Sequence, residues 1–191
     1  MRATHCRVWC LTYAAHSNAL TLASFANLPC ALALLDRLPF ACDIVFATQG
    51  PHFCTNIDLS SLGSITTSSS VDCVASSELL RCRILALQAV VFVVERCRKP
   101  VVAAIHDACI GSRVDLDAAC DIWCYDEGAF FVVKEVDLAL AVDLGSLQCL
   151  LAIIGYGNTV NMALTGRRVA AAEAKSTIHD FLAITGSSSQ F

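Results

Sequence analysis

The chain alternates short apolar runs with longer amphipathic stretches, and most of its elements can be placed from that pattern. Residues 8–11 are apolar and β-prone and predict a first strand. Asn18 is placed to cap a helix over 19–38. Pro29 predicts a kink there, since an interior proline costs a helix about 3 kcal/mol. Residues 43–48 (DIVFAT) predict a second strand ending at the Gly50-Pro51 turn, and 53–59 (FCTNIDL) a loop that runs into a helix start. Residues 60–77 are rich in Ser and Thr and predict a mobile surface segment. A long helix over 78–98 follows, with an apolar stripe through Leu80, Ile84, Leu87 and Val91, and Pro100 stops it. Beyond it the pattern predicts a strand over 101–105, a turn over 106–112 and a short helix carrying Asp115 in its first turn. Strands over 121–125 and 129–133 come next, then helical stretches over 145–154 and 159–164 with a turn at 164–166. Alternating strands and helices imply an α/β fold with parallel pairing. One domain over 1–185 is expected, with a disordered tail at 186–191.

Composition narrows the partners. Hydrophobic residues make up 56% of the 191 and charged residues 16%, an oily globular composition. A net charge of -4 offers no dense basic stripe, so no nucleic-acid partner is expected. The nearest candidate, 81–99, spreads its positive charges around a helix and its end and reads as a solvated face. Twelve cysteines would suggest disulfides in a small secreted chain. Met1 to Cys10, however, holds no apolar core or cleavage pattern of a signal peptide, and no CxxC or CxxH spacing occurs. Free buried thiols in a reducing compartment are expected, with no metal site. Apolar runs such as 89–94 fall short of a membrane span, and a soluble protein is expected.

Two loops share one design, a strand, a turn and a helix start: 53–59 and 105–115. N–H groups at helix starts are unpaired and lie at the positive end of the dipole. Two such loops side by side would make an oxyanion hole for a thioester carbonyl, although any α/β protein has several such turns. Three acids stand on segments that otherwise read as core: Asp115, Glu135 twenty residues on, and Asp143 eight beyond that. Each also has a structural reading. Asp115 favours the dipole of its helix, Glu135 and Asp137 flank a turn, and Asp143 is placed to cap the helix opening near Gly145.

KPVVAAIHDACIGSRVDL, then ACDI, AFFVVKEVDLALAVDLGSLQCL and LTGRRVAAAEA, resemble the enoyl-CoA hydratase/isomerase (crotonase) family, and within it the Δ3,5-Δ2,4-dienoyl-CoA isomerases. The likeness runs from about Val8 to about Lys175. CIGxxVDL, ACDI and KEVDxxLAxDxGxLQ agree together and in register, the first third more loosely. The resemblance implies a repeated ββα spiral core and an acyl-CoA thioester ligand, with no cofactor beyond the coenzyme A of the substrate. It implies an oxyanion hole made by the backbone N–H groups of Ile57 and Ser112. It implies that Asp115, Glu135 and Asp143 line the pocket, with Asp143 taking a proton at one end of the conjugated system, Glu135 returning one at the other, and Asp115 tuning the pair. Moving two double bonds into conjugation needs a base and an acid several bonds apart, and two carboxyls with separated pKa values supply both. A hydratase would instead hold one water between two acids, so the carboxylate at Asp143 favours isomerisation.

The chain departs from the family pattern in its loops. Thr55-Asn56 stands where Ala-Gly is usual, Asp107-Ala108 replaces a glycine pair, and a glycine run becomes Gly111-Ser112-Arg113. Arg113 is within reach of pairing with Asp115, and Asp107 brings negative charge near the site. After Ala172 to Ala174 the family continues into helices that close the acyl pocket and help form trimers or hexamers. Here STIHDFLAITGSSSQF follows, which would leave apolar surface open. Two functions therefore stand: an acyl-CoA isomerase of fatty-acid β-oxidation, or a catalytically impaired paralogue that binds acyl-CoA or a partner subunit. A core fragment with little stability of its own is a third possibility. The resemblance implies mitochondria or peroxisomes. Ser189-Gln190-Phe191 is not an SKL-type ending, and the first strand begins too early for a long presequence.

Overall fold

The computed structural model describes residues 5–11, 17–66 and 72–177. Strand β1 (His5–Leu11) leads to helix α1 (Leu22–Arg37), then β2 (Ala41–Thr48), β3 (Cys54–Thr55), α2 (Leu59–Thr66) and α3 (Cys73–Glu95). Next come β4 (Val101–Ile105), β5 (Ala108–Ile110), α4 (Ser112–Ala118), β6 (Ile122–Tyr125) and β7 (Phe130–Val132). A 3-10 helix (Glu135–Leu138), α5 (Ser146–Thr165), β8 (Val169–Ala170) and α6 (Ala171–Thr177) complete the described chain.

The strands fall into two sheets, ordered β1-β2-β4-β6 and β3-β5-β7-β8. Every pair is parallel except β7 with β8. Successive ββα units thus give their first strand to one sheet and their second to the other. That is the spiral core which the sequence resemblance implies. Ile44, Phe46, Val101, Ala103 and Ile105 from the first sheet and Cys54, Cys109 and Phe131 from the second are buried in one core, with α1, α3 and α5 packed against it. The tail expected to be disordered, 186–191, lies outside the described residues.

Several local expectations are corrected. Helix α1 is capped by Thr21, not Asn18: the Thr21 hydroxyl accepts from Ser24 N–H at 3.1 Å and Ser24 answers on Thr21 N–H, a capping box. Asn18 is buried and spends its carboxamide on the carbonyls of Gln49 and His52, at 2.7 and 2.9 Å. The helix runs on through Pro29, because Phe25, Leu28 and Leu32 seat both halves on the core. Lys99 Nζ closes its end by donating to the carbonyls of Leu35 and Leu38, both at 2.6 Å. The Ser/Thr-rich stretch is helical on both sides of 67–71, which lie outside the described residues. Asp58 accepts from Ser61 N–H at the start of α2, and Asp72 from Val74 N–H at the start of α3. The turn expected over 106–112 contains β5, three residues held between β3 and β7.

One described helix, α5, is long and apolar enough to cross a membrane by length and composition. It bends at Gly155 (φ 76°) and sends Leu150 and Met162 into the core. Every cysteine from Cys30 to Cys149 carries a free thiol. Burial pushes the Cys54 thiol up to about 11 and those of Cys109 and Cys120 well above the ordinary value.

Candidate active site

Because β3 and β5 pair in parallel, with Cys54 beside Cys109 and Thr55 beside Ile110, the loops leaving them run side by side. The first is tied to the start of α1: Leu20 N–H donates to Asn56 O and Asp58 N–H to Leu20 O, both at 2.8 Å. The second turns at Gly111 (φ 58°) and opens α4 at Ser112. The backbone N–H groups of Ile57 and Ser112 consequently converge on one point. A side-chain oxygen holds that point: Asn56 Oδ1 accepts from Ile57 N–H at 2.7 Å and from Ser112 N–H at 3.0 Å. Asn56 adopts φ 90°, a conformation that favours glycine. A Cβ on Gly111 would lie 2.2 Å from Asn56 Oδ1, so only glycine there leaves room for the carboxamide.

Beside the two amides opens a cavity of about 270 Å³, lined also by Glu135 and Asp143. Leu80, Ile84 and Leu87 of α3 form one apolar wall, and Leu138, Leu140 and Leu144 contribute to the rest. Three of the four residues of the stripe read from the sequence therefore face this cavity, while the fourth, Val91, and Val94 beyond it carry α3 into the core.

The three acids are not equivalent. Glu135 opens the 3-10 helix after β7 and is buried, with Oε2 lacking a hydrogen-bond partner among the described residues. Burial, with the nearby Asp143 charge, raises its pKa above the usual carboxylate value. Asp143 lies in the segment between that helix and α5, half-buried and also raised by burial, and its carbonyl accepts from the Gln88 side chain of α3. Asp115 stands behind the cavity rather than lining it. Its Oδ1 accepts from Ser146 N–H at 2.6 Å and from the Ser146 hydroxyl. It is Asp115, from another helix, that caps α5, and not Asp143. Burial first, then the charge of Glu135, push the Asp115 carboxyl up to about 7.

The two charged residues noted near the site find their partners elsewhere. Arg113 does not reach Asp115; it is fully buried, donates to Asp117 at 3.0 Å, and lies over the Phe53 ring at 4.3 Å and the Phe46 ring at 5.4 Å. Asp107 pairs with His52. Among the described residues no three His, Cys, Asp or Glu side chains gather in a way that would hold a metal ion. The sequence reading missed Ser146 and Gln88, since neither carries a local signal of its partner.

Residues 11–177 match the enoyl-CoA hydratase/isomerase family, and the chain belongs to it. Among its relatives, the peroxisomal Δ3,5-Δ2,4-dienoyl-CoA isomerase of Arabidopsis thaliana is 52% identical over 162 residues, which cover 84% of this chain and 58% of that protein. The mitochondrial Δ3,5-Δ2,4-dienoyl-CoA isomerase of Homo sapiens is 45% identical over 133 residues, 69% of this chain and 40% of the human protein. The chain thus spans about half the length of these relatives. The crystal structure of the enoyl-CoA hydratase from Bacillus anthracis superposes with a TM-score of 0.76 at 26% identity, over 90% of this chain and 64% of the other. The fold is that of the crotonases.

Proposed function

We infer that this protein is an acyl-CoA isomerase of fatty-acid β-oxidation that converts 3,5-dienoyl-CoA into 2,4-dienoyl-CoA. The observation that carries this reading is the convergence of the Ile57 and Ser112 N–H groups on one oxygen position at the wall of a cavity that also holds Glu135 and Asp143. Asp143 takes a proton from C2; the C2–H electrons form the C1=C2 bond and the C1=O pair moves onto the thioester oxygen as the charge of the conjugated enolate. There the two amides meet it, donors that hold Asn56 Oδ1 at 2.7 and 3.0 Å in the free protein. As the thioester carbonyl reforms, the C1=C2 pair moves to C2=C3, the C3=C4 pair moves to C4=C5 and the C5=C6 pair takes a proton from Glu135 at C6. The raised pKa of Glu135 keeps a proton available for that delivery. The more open Asp143 is the better placed of the two to be ionised. Asp115 acts from behind, through its negative charge when ionised and through its hold on α5. The leucine-lined wall suits an acyl chain. The reaction needs no cofactor other than the coenzyme A of the substrate. A homo-oligomer, trimer or hexamer, accords with the family, and peroxisomes or mitochondria with the relatives' names.

One observation favours a second reading, a paralogue that binds acyl-CoA or a partner subunit without turnover: Asn56 Oδ1 occupies the oxyanion position. An ultraviolet time course with a 3,5-dienoyl-CoA separates the two. Appearance of the conjugated 2,4-dienoyl product, abolished in Asp143→Asn, supports the isomerase; no turnover from folded protein sinks it.

A further inference from the structure

We propose that Asn56 is a built-in plug of the oxyanion hole, and that an acyl-CoA binds productively only when its thioester oxygen displaces the Asn56 carboxamide. The proposal rests on the isomerase reading for the role of the amide pair. A carboxamide is the protein group closest in chemistry to a thioester, a neutral trigonal carbonyl, and this one takes both donors at 2.7 and 3.0 Å. The plug is built by two positions together. Asn56 holds φ 90° while its side chain accepts from the next residue's N–H, and Gly111 leaves the space that any Cβ would close, 2.2 Å from Oδ1. The way out is open as well: Asn56 lines the cavity of about 270 Å³, which gives its side chain room to rotate away from the amides.

The plug discriminates between states of the substrate. A neutral thioester oxygen exchanges one carbonyl for another at the same two donors and gains little. A dienolate oxygen carries charge, and hydrogen bonds to a charged acceptor are about twice as strong. Asn56 therefore competes with ground-state substrate far better than with the intermediate. Its cost falls on KM, because the side chain has already left in the bound complex. If the hole is free in about a tenth of molecules, apparent affinity drops about tenfold.

The test compares wild type with Asn56→Gly, which relieves the positive φ, and Asn56→Asp, whose carboxylate binds the two amides more strongly. Amide hydrogen exchange without ligand is read by NMR at Ile57 and Ser112, with β4 as the control for an intact fold. The proposal expects exchange at both amides to be at least about tenfold faster in Asn56→Gly than in wild type, with β4 unchanged. With 3,5-dienoyl-CoA, KM falls about tenfold in Asn56→Gly and rises in Asn56→Asp, while kcat stays within about threefold. Equal exchange in wild type and Asn56→Gly overturns the plug. So does faster exchange with no change in KM. If none of the three proteins turns over, the isomerase reading falls, and the plug is judged on exchange together with calorimetric binding of octanoyl-CoA. Binding about tenfold tighter to Asn56→Gly sustains it; equal binding overturns it.

Discussion

Replacing Asp115 by Asn removes a carboxyl whose proton the fold holds, and the size of the effect follows from its surroundings. The residue is 1% exposed, and its Oδ1 takes both the N–H and the hydroxyl of Ser146. Burial and the Glu135 charge nevertheless raise its pKa from 3.8 to about 7. A carboxyl raised in this way is bound to its proton more tightly in the folded state than in the unfolded chain. Its contribution to stability is therefore fully present below about pH 4 and is lost as pH rises through about 7. A rise of about three pH units corresponds to about 4 kcal/mol. Asparagine keeps an oxygen for Ser146 and cannot ionise. The variant should match wild type within about 1 kcal/mol at pH 4 and exceed it by about 4 kcal/mol at pH 8. Urea unfolding followed by the fluorescence of Trp123, buried and stacked on Phe131 at 5.2 Å, measures both across this range. Exposed pairs such as Glu78–Arg81 titrate identically in the two proteins and cancel in the difference. A difference that stays constant from pH 4 to pH 8 would refute the reasoning, since Asp115 would then titrate alike in folded and unfolded chains.

Two further substitutions test the loops and the buried ion pair. Gly111→Ala places a methyl against Asn56 Oδ1 at a φ of 58° and should cost about 1–3 kcal/mol in thermal unfolding, with a smaller loss in an Asn56→Gly background where the clash is gone. Equal losses in both backgrounds would mean that the carboxamide does not sit there. Arg113→Met strands a fully buried Asp117 and should cost about 3–5 kcal/mol in urea unfolding, while Arg113→Met with Asp117→Leu regains most of it. A double variant as unstable as the single one would show that the loss comes from packing over Phe46 and Phe53 and not from the stranded charge.

What the sequence made legible was decided by how local the cause was. The run at 101–105 reads as a strand because it is one, buried on nearly every residue and bounded by Pro100. The capping box at Thr21 and Ser24 was present in the letters too, but Asn18 competed for the same role, and only the distant carbonyls of Gln49 and His52 show where its carboxamide goes. Asp72 likewise starts a helix inside the stretch whose serines alone suggested mobility, while Asp58 caps the helix start read just before it. The central block carried Asp115, Glu135 and Asp143 in family register. Spacing could not tell which of them faces the cavity, because Asp115 is turned away by Ser146, thirty-one residues along the chain. Asn56 was visible as a departure from glycine. That its oxygen reaches two amides depends on Ser112, brought alongside by the pairing of β3 with β5.

Helix α3 runs through two environments. Its last turns, with Val91 and Val94, leave water when the chain folds, whereas Leu80 and Ile84 remain on the wall of an open cavity. The dehydration of this one apolar stripe is thus split between two events, folding for one end and ligand capture for the other. Heat capacity records that division. Apolar surface still wet in the free protein adds no heat-capacity change to unfolding and instead deepens the negative change on binding an apolar chain. The helix end nearest the site stays hydrated until an apolar ligand covers it.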